Sequence, residues 1–457
     1  MLLGESIREG PLTFCQELLL YSEIFTGRAP TVTRVARIDG PLDTKAFERA
    51  ADATIAAHEP LRTTWAWRND EPVAQIKSAK TLPSSTMMVD LALDSDTTAL
   101  GAALAAPSRF GAMNPPHLRH WLYRRAEDNN LWCFSAHHMA VDAISLKLYG
   151  ETFRATYQRS SDVPLSTTSI EYAQTQRTWL TTPAAQEELV WWLRKLEQLP
   201  SGKLPVRAPS TPSDVAFERQ ELRLPDAVRT AVVRAARRER VPPAAVFIAA
   251  YTQAVSQRSG VARHSVFMNL PGRSLFGAGS TSGACYNSVP FELVGATDAS
   301  SAIAAAAEVL FEALDRQEVP APLISLGCVR QGGAALSDRA PITFNVIDHP
   351  LSSFRLRGCR LWEVDLDTLG LPKWGHSGPI LLQSGQAPTK PSMDWIVAIL
   401  QSSVVLSVEY PPSYADREDV SSLLAEYENT LRILCGESAE VAPIGNAGLI
   451  ADWSGSS

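Results

Sequence analysis

The sequence predicts an α/β protein of two lobes built on mixed sheets. Three observations carry this. The chain has 457 residues, more than one hydrophobic core organises, since single cores stop growing at roughly 250–300 residues. Amphipathic helical stretches alternate with short apolar strands. Two of those strands are separated only by a polar turn, so a hairpin stands among the helices, which favours sandwiches with mixed sheets over a doubly wound parallel sheet.

The elements follow in chain order. Asp43 and Thr44 cap a helix carrying Phe47, Ala51, Ile55 and His58 on one face. His117–Arg125 and Leu131–His138 flank the polar run Glu127-Asp128-Asn129-Asn130 and read as a hairpin. Asp142 opens the next helix, whose apolar face carries Ile144, Leu148, Tyr149 and Phe153. Pro242 and Pro243 start another, with Val246, Ala250 and Ala254 in register and Gly260 just past its end. Ser265–Leu270 reads as a strand, Ala299–Arg316 as a helix, and Ile342–Ile347 and Val404–Tyr410 as strands. The last helix starts near Asp416, carries Leu423, Tyr427, Leu431 and Leu434, and stops at Gly436. Ser161–Thr168 reads as a surface loop. Pro200–Ser213 holds four prolines too closely spaced for a helix and reads as a linker. The lobe boundary is placed near residue 180, giving lobes over 1–180 and 181–457.

Composition excludes several classes. Hydrophobic residues make up 45% and charged residues 20%, with a net charge of −7. That is ordinary for a soluble enzyme and lacks the basic excess of a nucleic-acid binder. No stretch approaches the ~20 apolar residues that span a membrane, and Met1-Leu2-Leu3-Gly4-Glu5 is not a signal-peptide start, so a cytoplasmic chain is expected. The six cysteines (Cys15, Cys133, Cys285, Cys328, Cys359, Cys435) show no C-x-x-C spacing, which suits reduced thiols. There is no H-E-x-x-H, G-x-S-x-G or P-loop. His117, His120, His264, His349 and His376 form no ligand pattern, so neither metal nor nucleotide is expected. The Arg234, Arg237, Arg238, Arg240 cluster reads as a solvated helix face, with docking of an acidic carrier protein as the alternative, and Trp191-Trp192 as packing.

The segment that points to chemistry is Ala136-His137-His138-Met139-Ala140-Val141-Asp142-Ala143, at a strand-to-helix junction. A histidine held at a strand end can present an imidazole from a rigid support and take a proton near neutral pH. His-His alone is also compatible with packing, and Asp142 alone with a helix N-cap.

His-His-x-x-x-Asp at such a junction resembles the HHxxxDG motif of the condensation domains of nonribosomal peptide synthetases. Further segments are similar to family motifs in the family's order. Leu12-Thr13-Phe14-Cys15-Gln16 resembles the opening motif, and His58-Glu59-Pro60-Leu61-Arg62-Thr63-Thr64-Trp65 resembles RHExLRTxF. Ile170-Glu171-Tyr172-Ala173 resembles YxDFA, Gly283-Ala284-Cys285-Tyr286-Asn287-Ser288 resembles GxFVNT, and Arg316-Gln317-Glu318-Val319-Pro320 resembles HQDxPF. The resemblance implies two chloramphenicol-acetyltransferase-like lobes facing each other across a central tunnel. His138 is then the catalytic histidine beside the nucleophile, and His137 and Asp142 are structural support. Arg273 is the candidate partner of Asp142 from the other lobe. Ala143, where the family has glycine, and Asn287 stand at the substrate tunnel, and Asn287 is the candidate oxyanion donor by family position. Arg316 stands where the family has histidine and Ala321 where it has phenylalanine.

The activity implied is condensation of an acyl or aminoacyl thioester, carried on the phosphopantetheine of a partner acyl or peptidyl carrier protein, with a soluble amine or alcohol. No cofactor, metal, nucleic acid or membrane takes part. Met1 and the short tail Ser454-Gly455-Ser456-Ser457 favour a free-standing chain over an excised fragment. A coenzyme A-dependent acyltransferase of the same superfamily is one alternative, although the DFGWG segment of its plant-type members is absent. A non-catalytic recruitment module is another, although such modules lack the second histidine, present here as His138. An epimerisation domain shares HHxxxD but sits inside a larger synthetase. A heterocyclisation domain replaces the histidines with aspartate.

Overall fold

The computed structural model describes residues 6–26, 29–90, 111–126, 129–160, 167–200, 204, 206, 218–332, 342–348, 355–363, 393–400 and 403–436. Residues 161–166, most of the Pro200–Ser213 linker, Glu127 and Asp128 of the hairpin turn, His349, His376 and both chain ends lie outside the described residues.

The N-terminal lobe contains β1 (Ser6–Pro11), α1 (Phe14–Thr26), β2 (Thr31–Asp39), α2 (Thr44–Ala57), β3 (Thr63–Arg68), β4 (Glu71–Lys77), β5 (Thr86–Asp90), β6 (Leu118–Ala126), β7 (Asn129–His137), α3 (Ala143–Tyr157) and α4 (Ser169–Leu180). The C-terminal half contributes α5 (Pro183–Glu197), β8 (Glu218–Pro225), α6 (Asp226–Glu239), α7 (Pro243–Ser259), β9 (Arg263–Leu270), β10 (Asn287–Val294), α8 (Ala299–Asp315), α9 (Ala321–Arg330), β11 (Ile342–Asp348), β12 (Arg360–Glu363), β13 (Met393–Ile399), β14 (Ser403–Tyr410) and α10 (Arg417–Leu434). Each expected helix and strand among the described residues is present.

Two mixed sheets and a small third one organise these elements. In the N-terminal lobe the order is β12-β2-β7-β6-β5, with β5 parallel to β6 and the other pairs antiparallel. In the other lobe it is β10-β9-β11-β13-β14-β8, with β11 parallel to both β9 and β13. A third sheet, β1-β4-β3, is antiparallel. Each large sheet has its own core. Phe47, Trp132, Phe134, Tyr149 and Phe153 pack in the first lobe. Trp192, Tyr251, Phe267, Phe291, Phe344 and Trp395 pack in the second.

Tyr157 belongs to the first core and Trp192 to the second. β12 leaves the second lobe and pairs antiparallel with β2 of the first, Leu361 opposite Ile38. Leu356, Cys359 and Leu361 are buried in the N-terminal core. The crossing covers an edge that β2 would otherwise leave unpaired. A simple division at 180 therefore misplaces residues 355–363. A second correction concerns α3. Ser145, Leu146, Tyr149, Thr152 and Phe153 form its buried face, while Ile144 and Leu148 are half-buried.

A buried ion pair joins the lobes. Arg273, in the turn after β9, places Nη2 2.7 Å from Asp142 Oδ2, and the two side chains are 2% and 7% exposed. Asp142 also caps α3, accepting the Ser145 N–H at 2.9 Å and its hydroxyl at 2.8 Å, and accepts the Cys285 N–H at 3.1 Å. Arg273 donates to the carbonyls of Thr281, Pro271 and Gly283. Each charge is thus saturated with hydrogen bonds, the condition under which a buried pair is tolerated. Gly272 precedes it at φ +61°, and a Cβ there would stand 2.1 Å from the Cys285 carbonyl oxygen. That position therefore takes glycine.

This packing makes the ion pair testable by mutation. Asp142→Ala and Arg273→Ala should each cost about 3–5 kcal/mol by leaving a buried charge alone. In chemical melts the double variant should cost less than the sum by more than ~1 kcal/mol, and simple additivity would show that the residues do not couple. Buried histidines set a dependence on pH as well. Burial pushes four of them down from 6.5, His58 and His264 to about 4 and His117 and His120 to about 3. Between those values and 6.5 the unfolded chain binds protons that the folded chain refuses, so stability falls as pH falls. The urea midpoint should drop steadily from pH 6.5 towards 4. A level midpoint across that window would contradict neutral burial of these rings.

Candidate functional site

β7 ends at His137, paired with Thr31 of β2, and the chain turns through residues 138–141 before α3. Backbone bonds set that turn. His138 N–H donates to the Pro30 carbonyl at 2.8 Å, Ala140 N–H to His137 at 2.9 Å and Val141 N–H to His138 at 3.3 Å. Met139 is held through its carbonyl, which accepts Gln16 Nε2 of α1 at 3.0 Å and the Ala284 N–H at 3.3 Å.

His138 is half-buried on this turn. Its Nδ1 lies 2.8 Å from the Val141 carbonyl. A carbonyl only accepts, so Nδ1 carries the hydrogen and Nε2 presents a lone pair in the neutral ring. Among the described residues nothing donates to that nitrogen. Burial lowers the His138 pKa below 6.5, while the Asp142 carboxylate and the hydrogen bond to Val141 act in the opposite direction. At neutral pH the ring is therefore uncharged, with an open acceptor.

His137 is fully buried and differently used. Its Nε2 meets Glu23 Oε2 at 2.8 Å and its Nδ1 accepts the Met139 N–H at 3.1 Å. The two adjacent histidines thus face opposite ways. His137 is tied into the N-terminal lobe, and His138 has one nitrogen available. Ala143 is exposed at the first helical position of α3.

The C-terminal lobe supplies the facing wall. Tyr286 places its ring 5.5 Å from that of His138. The Thr13 hydroxyl donates to the Ala284 carbonyl at 2.6 Å, pinning this wall to the start of α1. A narrow pocket beside it is lined by Phe14, Cys15, Tyr172, Cys285, Tyr286 and Asn287, among others.

Asn287 corrects an expectation. It lines that pocket, but its Nδ2 donates to the carbonyls of Gln317 at 2.9 Å and Val319 at 2.7 Å, and its Oδ1 accepts the Ala321 N–H at 2.9 Å. Both amide hydrogens are committed to backbone, so it clamps residues 317–321 and has none left for an oxyanion. Arg316 stacks over Trp191 at 4.3 Å and meets Glu188 at 3.4 Å, and Trp192 Nε1 donates to its carbonyl at 3.1 Å. The tryptophan pair is therefore packing, and Arg316 serves it.

No sequence signal assigns a role to Gln317 or Glu318. Both are buried. Gln317 Oε1 accepts the Gly272 N–H at 2.7 Å. Glu318 accepts the Ser274 N–H at 2.6 Å, the Ser274 hydroxyl, and the Tyr172 hydroxyl at 3.1 Å. Together they fix the turn that carries Arg273. Gln16 and Tyr286 lay inside motif-like segments without an assigned role. Glu23 had no motif signal at all. Its spacing of seven from Gln16, two turns on one helix face, is the pattern that points to it.

Among the described residues no cluster of three or more His, Cys, Asp or Glu is arranged to hold a metal ion, and no helix is long and apolar enough to cross a membrane.

Comparison with known proteins gives the same picture. Residues 7–337 match the family described as Condensation domain. Chondramide synthase cmdD of Chondromyces crocatus is 30% identical over 187 residues, 38% of this chain and 5% of the synthase. Isonitrile lipopeptide synthase of Mycobacterium tuberculosis is 27% identical over 281 residues, 58% of this chain and 11% of that protein. The chain therefore spans a small fraction of these relatives. Among solved structures, SgcC5 of Streptomyces globisporus is similar with a TM-score of 0.71 at 19% identity, covering 93% of this chain and 98% of that one. The first condensation domain of the calcium-dependent antibiotic synthetase, in complex with a substrate analogue, gives 0.71 at 18% identity and covers 94% and 97%. These likenesses carry the expected two-lobed, chloramphenicol-acetyltransferase-like fold. With most of its length matched, the chain belongs to the condensation-domain family of acyl-transferring, amide-forming enzymes.

Proposed function

We propose that this chain is a free-standing condensation enzyme. It joins an acyl or aminoacyl thioester, held on the phosphopantetheine of a separate carrier protein, to a soluble amine or alcohol, forming an amide or an ester. The observation that carries this reading is the geometry of His138, whose Nδ1–H is fixed to the Val141 carbonyl while Nε2 keeps its lone pair at the lobe junction.

The chemistry then needs little machinery. A thioester is already activated, and holding it beside the nucleophile removes much of the entropic barrier. The nucleophile attacks the thioester carbonyl carbon and passes its proton to His138 Nε2. The Val141 carbonyl and the Asp142 carboxylate favour the imidazolium that forms. Collapse of the tetrahedral intermediate breaks the carbon–sulfur bond. The departing thiolate takes the proton from Nε2, which restores the neutral ring. An amine and an alcohol both lose one proton, so the same imidazole serves either. His137, Asp142 and Arg273 shape the turn and touch no reacting atom.

His138→Ala should slow product formation by roughly 10²–10⁴-fold with an unchanged melting temperature. In the wild type the rate should fall as acid protonates Nε2, with its midpoint below 6.5, because burial lowers this pKa. A folded alanine variant at wild-type rate would remove His138 from the mechanism.

The substrates are tested by offering one acyl group on a carrier protein and on coenzyme A, with amine and alcohol acceptors, and reading products by mass. Product from the carrier donor and a soluble acceptor is expected. Equal or better use of coenzyme A would instead support a coenzyme A-dependent acyltransferase. Product only with a carrier-bound acceptor would overturn the soluble-acceptor assignment.

A further inference from the structure

We infer that Glu23 is a positioning residue for His138, acting through the His137 imidazole and the Met139 N–H. The inference rests on the reading of His138 as the base. Glu23 lies in the last turns of α1 and is itself no part of the strand or turn that bears the two histidines.

The directions of the hydrogen bonds are set by chemistry. The Met139 N–H can only donate, so His137 Nδ1 must accept it. The ring hydrogen is then on Nε2 and goes to Glu23 Oε2 at 2.8 Å. The other oxygen, Oε1, accepts the Ala112 N–H at 3.0 Å. Two donors from two segments converge on one side chain, and a carboxylate is acceptor-only on both oxygens. Burial would raise the Glu23 pKa, but these two donors hold it below the usual carboxylate range. His117 packs against His137, the ring centroids 5.4 Å apart. Its Nδ1 is buried with no partner among the described residues, and burial pushes its pKa to about 3, so it places no positive charge beside His137.

The consequence reaches His138 over a short path. Gln16 and Glu23 lie two turns apart on α1. Gln16 holds the Met139 carbonyl, and Glu23 holds the Met139 N–H through His137. The peptide units on both sides of Met139 are therefore fixed from one helix, directly after His138. In the other neutral tautomer His137 would bring an Nδ1–H against the Met139 N–H, two donors facing each other in a dry site. The turn would have to shift, and with it the aim of His138 Nε2.

Glu23→Gln tests this at nearly constant volume. A glutamine oxygen can take one of the two donors, but its NH₂ then faces the other. We expect kcat to fall by about 10–10²-fold, the loss that a misplacement of roughly 1 Å produces, with KM within about threefold and a cooperative melt. Side-chain 15N spectra of histidine-labelled protein supply a readout independent of turnover. Wild-type His137 should carry its hydrogen on Nε2, and in Glu23→Gln the signals of both His137 and His138 should move. A variant that melts earlier but keeps wild-type kcat and unmoved His138 signals would overturn the inference and leave Glu23 as packing only. If the variant does not fold, the wild-type spectrum decides. Hydrogen on Nε2 of His137 supports the relay, and hydrogen on Nδ1 overturns it. The spectra need no substrate, so the proposed reaction can fail while the hold of Glu23 on the turn is still measured.

Discussion

The Asp142–Arg273 pair is the constraint on which the rest of this structure depends. It is a buried ionic link between two lobes that also share apolar packing, since Ala284 lies in one cluster with Leu12, Met139 and Ile170. Each partner does a second job at the junction. Asp142 begins α3 and so ends the turn bearing His138. Arg273 gathers three carbonyls around the turn that follows β9. The Cys285 N–H closes the arrangement onto the same carboxylate and brings Tyr286 opposite His138. A buried pair of this kind gives little net stability compared with apolar packing, but it is costly to break and has one satisfactory geometry. Its value here is registry, because it sets where one lobe's wall stands relative to the other lobe's histidine.

Around that link the polar groups divide their work. Gln317, Glu318 and Asn287 use their hydrogen-bonding capacity to fix backbone in the second lobe. Gln16, Glu23 and His137 do so in the first. His138 differs from these, with one nitrogen committed and one open beside Tyr286 at the lobe junction. In the proposed mechanism such a site keeps a neutral base aimed through backbone hydrogen bonds. A rigid first contact backed by a satisfied second layer is what positions a proton acceptor well.

Much of this was legible in the sequence, and what was not has a physical reason. Periodicity and capping residues locate α2, α7 and α10, because Asp43, Pro243 with Gly260, and Asp416 act on their own neighbours. The histidine turn is legible because strand, motif and helix cap fall within eight residues. Arg273 was reachable only through resemblance, since its partner lies 131 positions away. The crossing of β12 into the first sheet was not legible. It is four residues long, and its partner β2 lies more than 300 positions earlier, so no local pattern encodes it. The orientation of Asn287 was not legible either. Its amide is turned by the backbone at 317–321, and residue type alone does not reveal which donors are already spent.

The proposed chemistry depends above all on His138 standing neutral at physiological pH, with its hydrogen on Nδ1 and its lone pair on Nε2. The direct measurement is a pH titration of the His138 side-chain nitrogens in histidine-labelled wild-type protein, assigned by comparison with His138→Ala. The structure predicts an Nδ1–H ring at pH 7 that titrates below 6.5. A ring already charged at pH 7, or one carrying its hydrogen on Nε2, would contradict it.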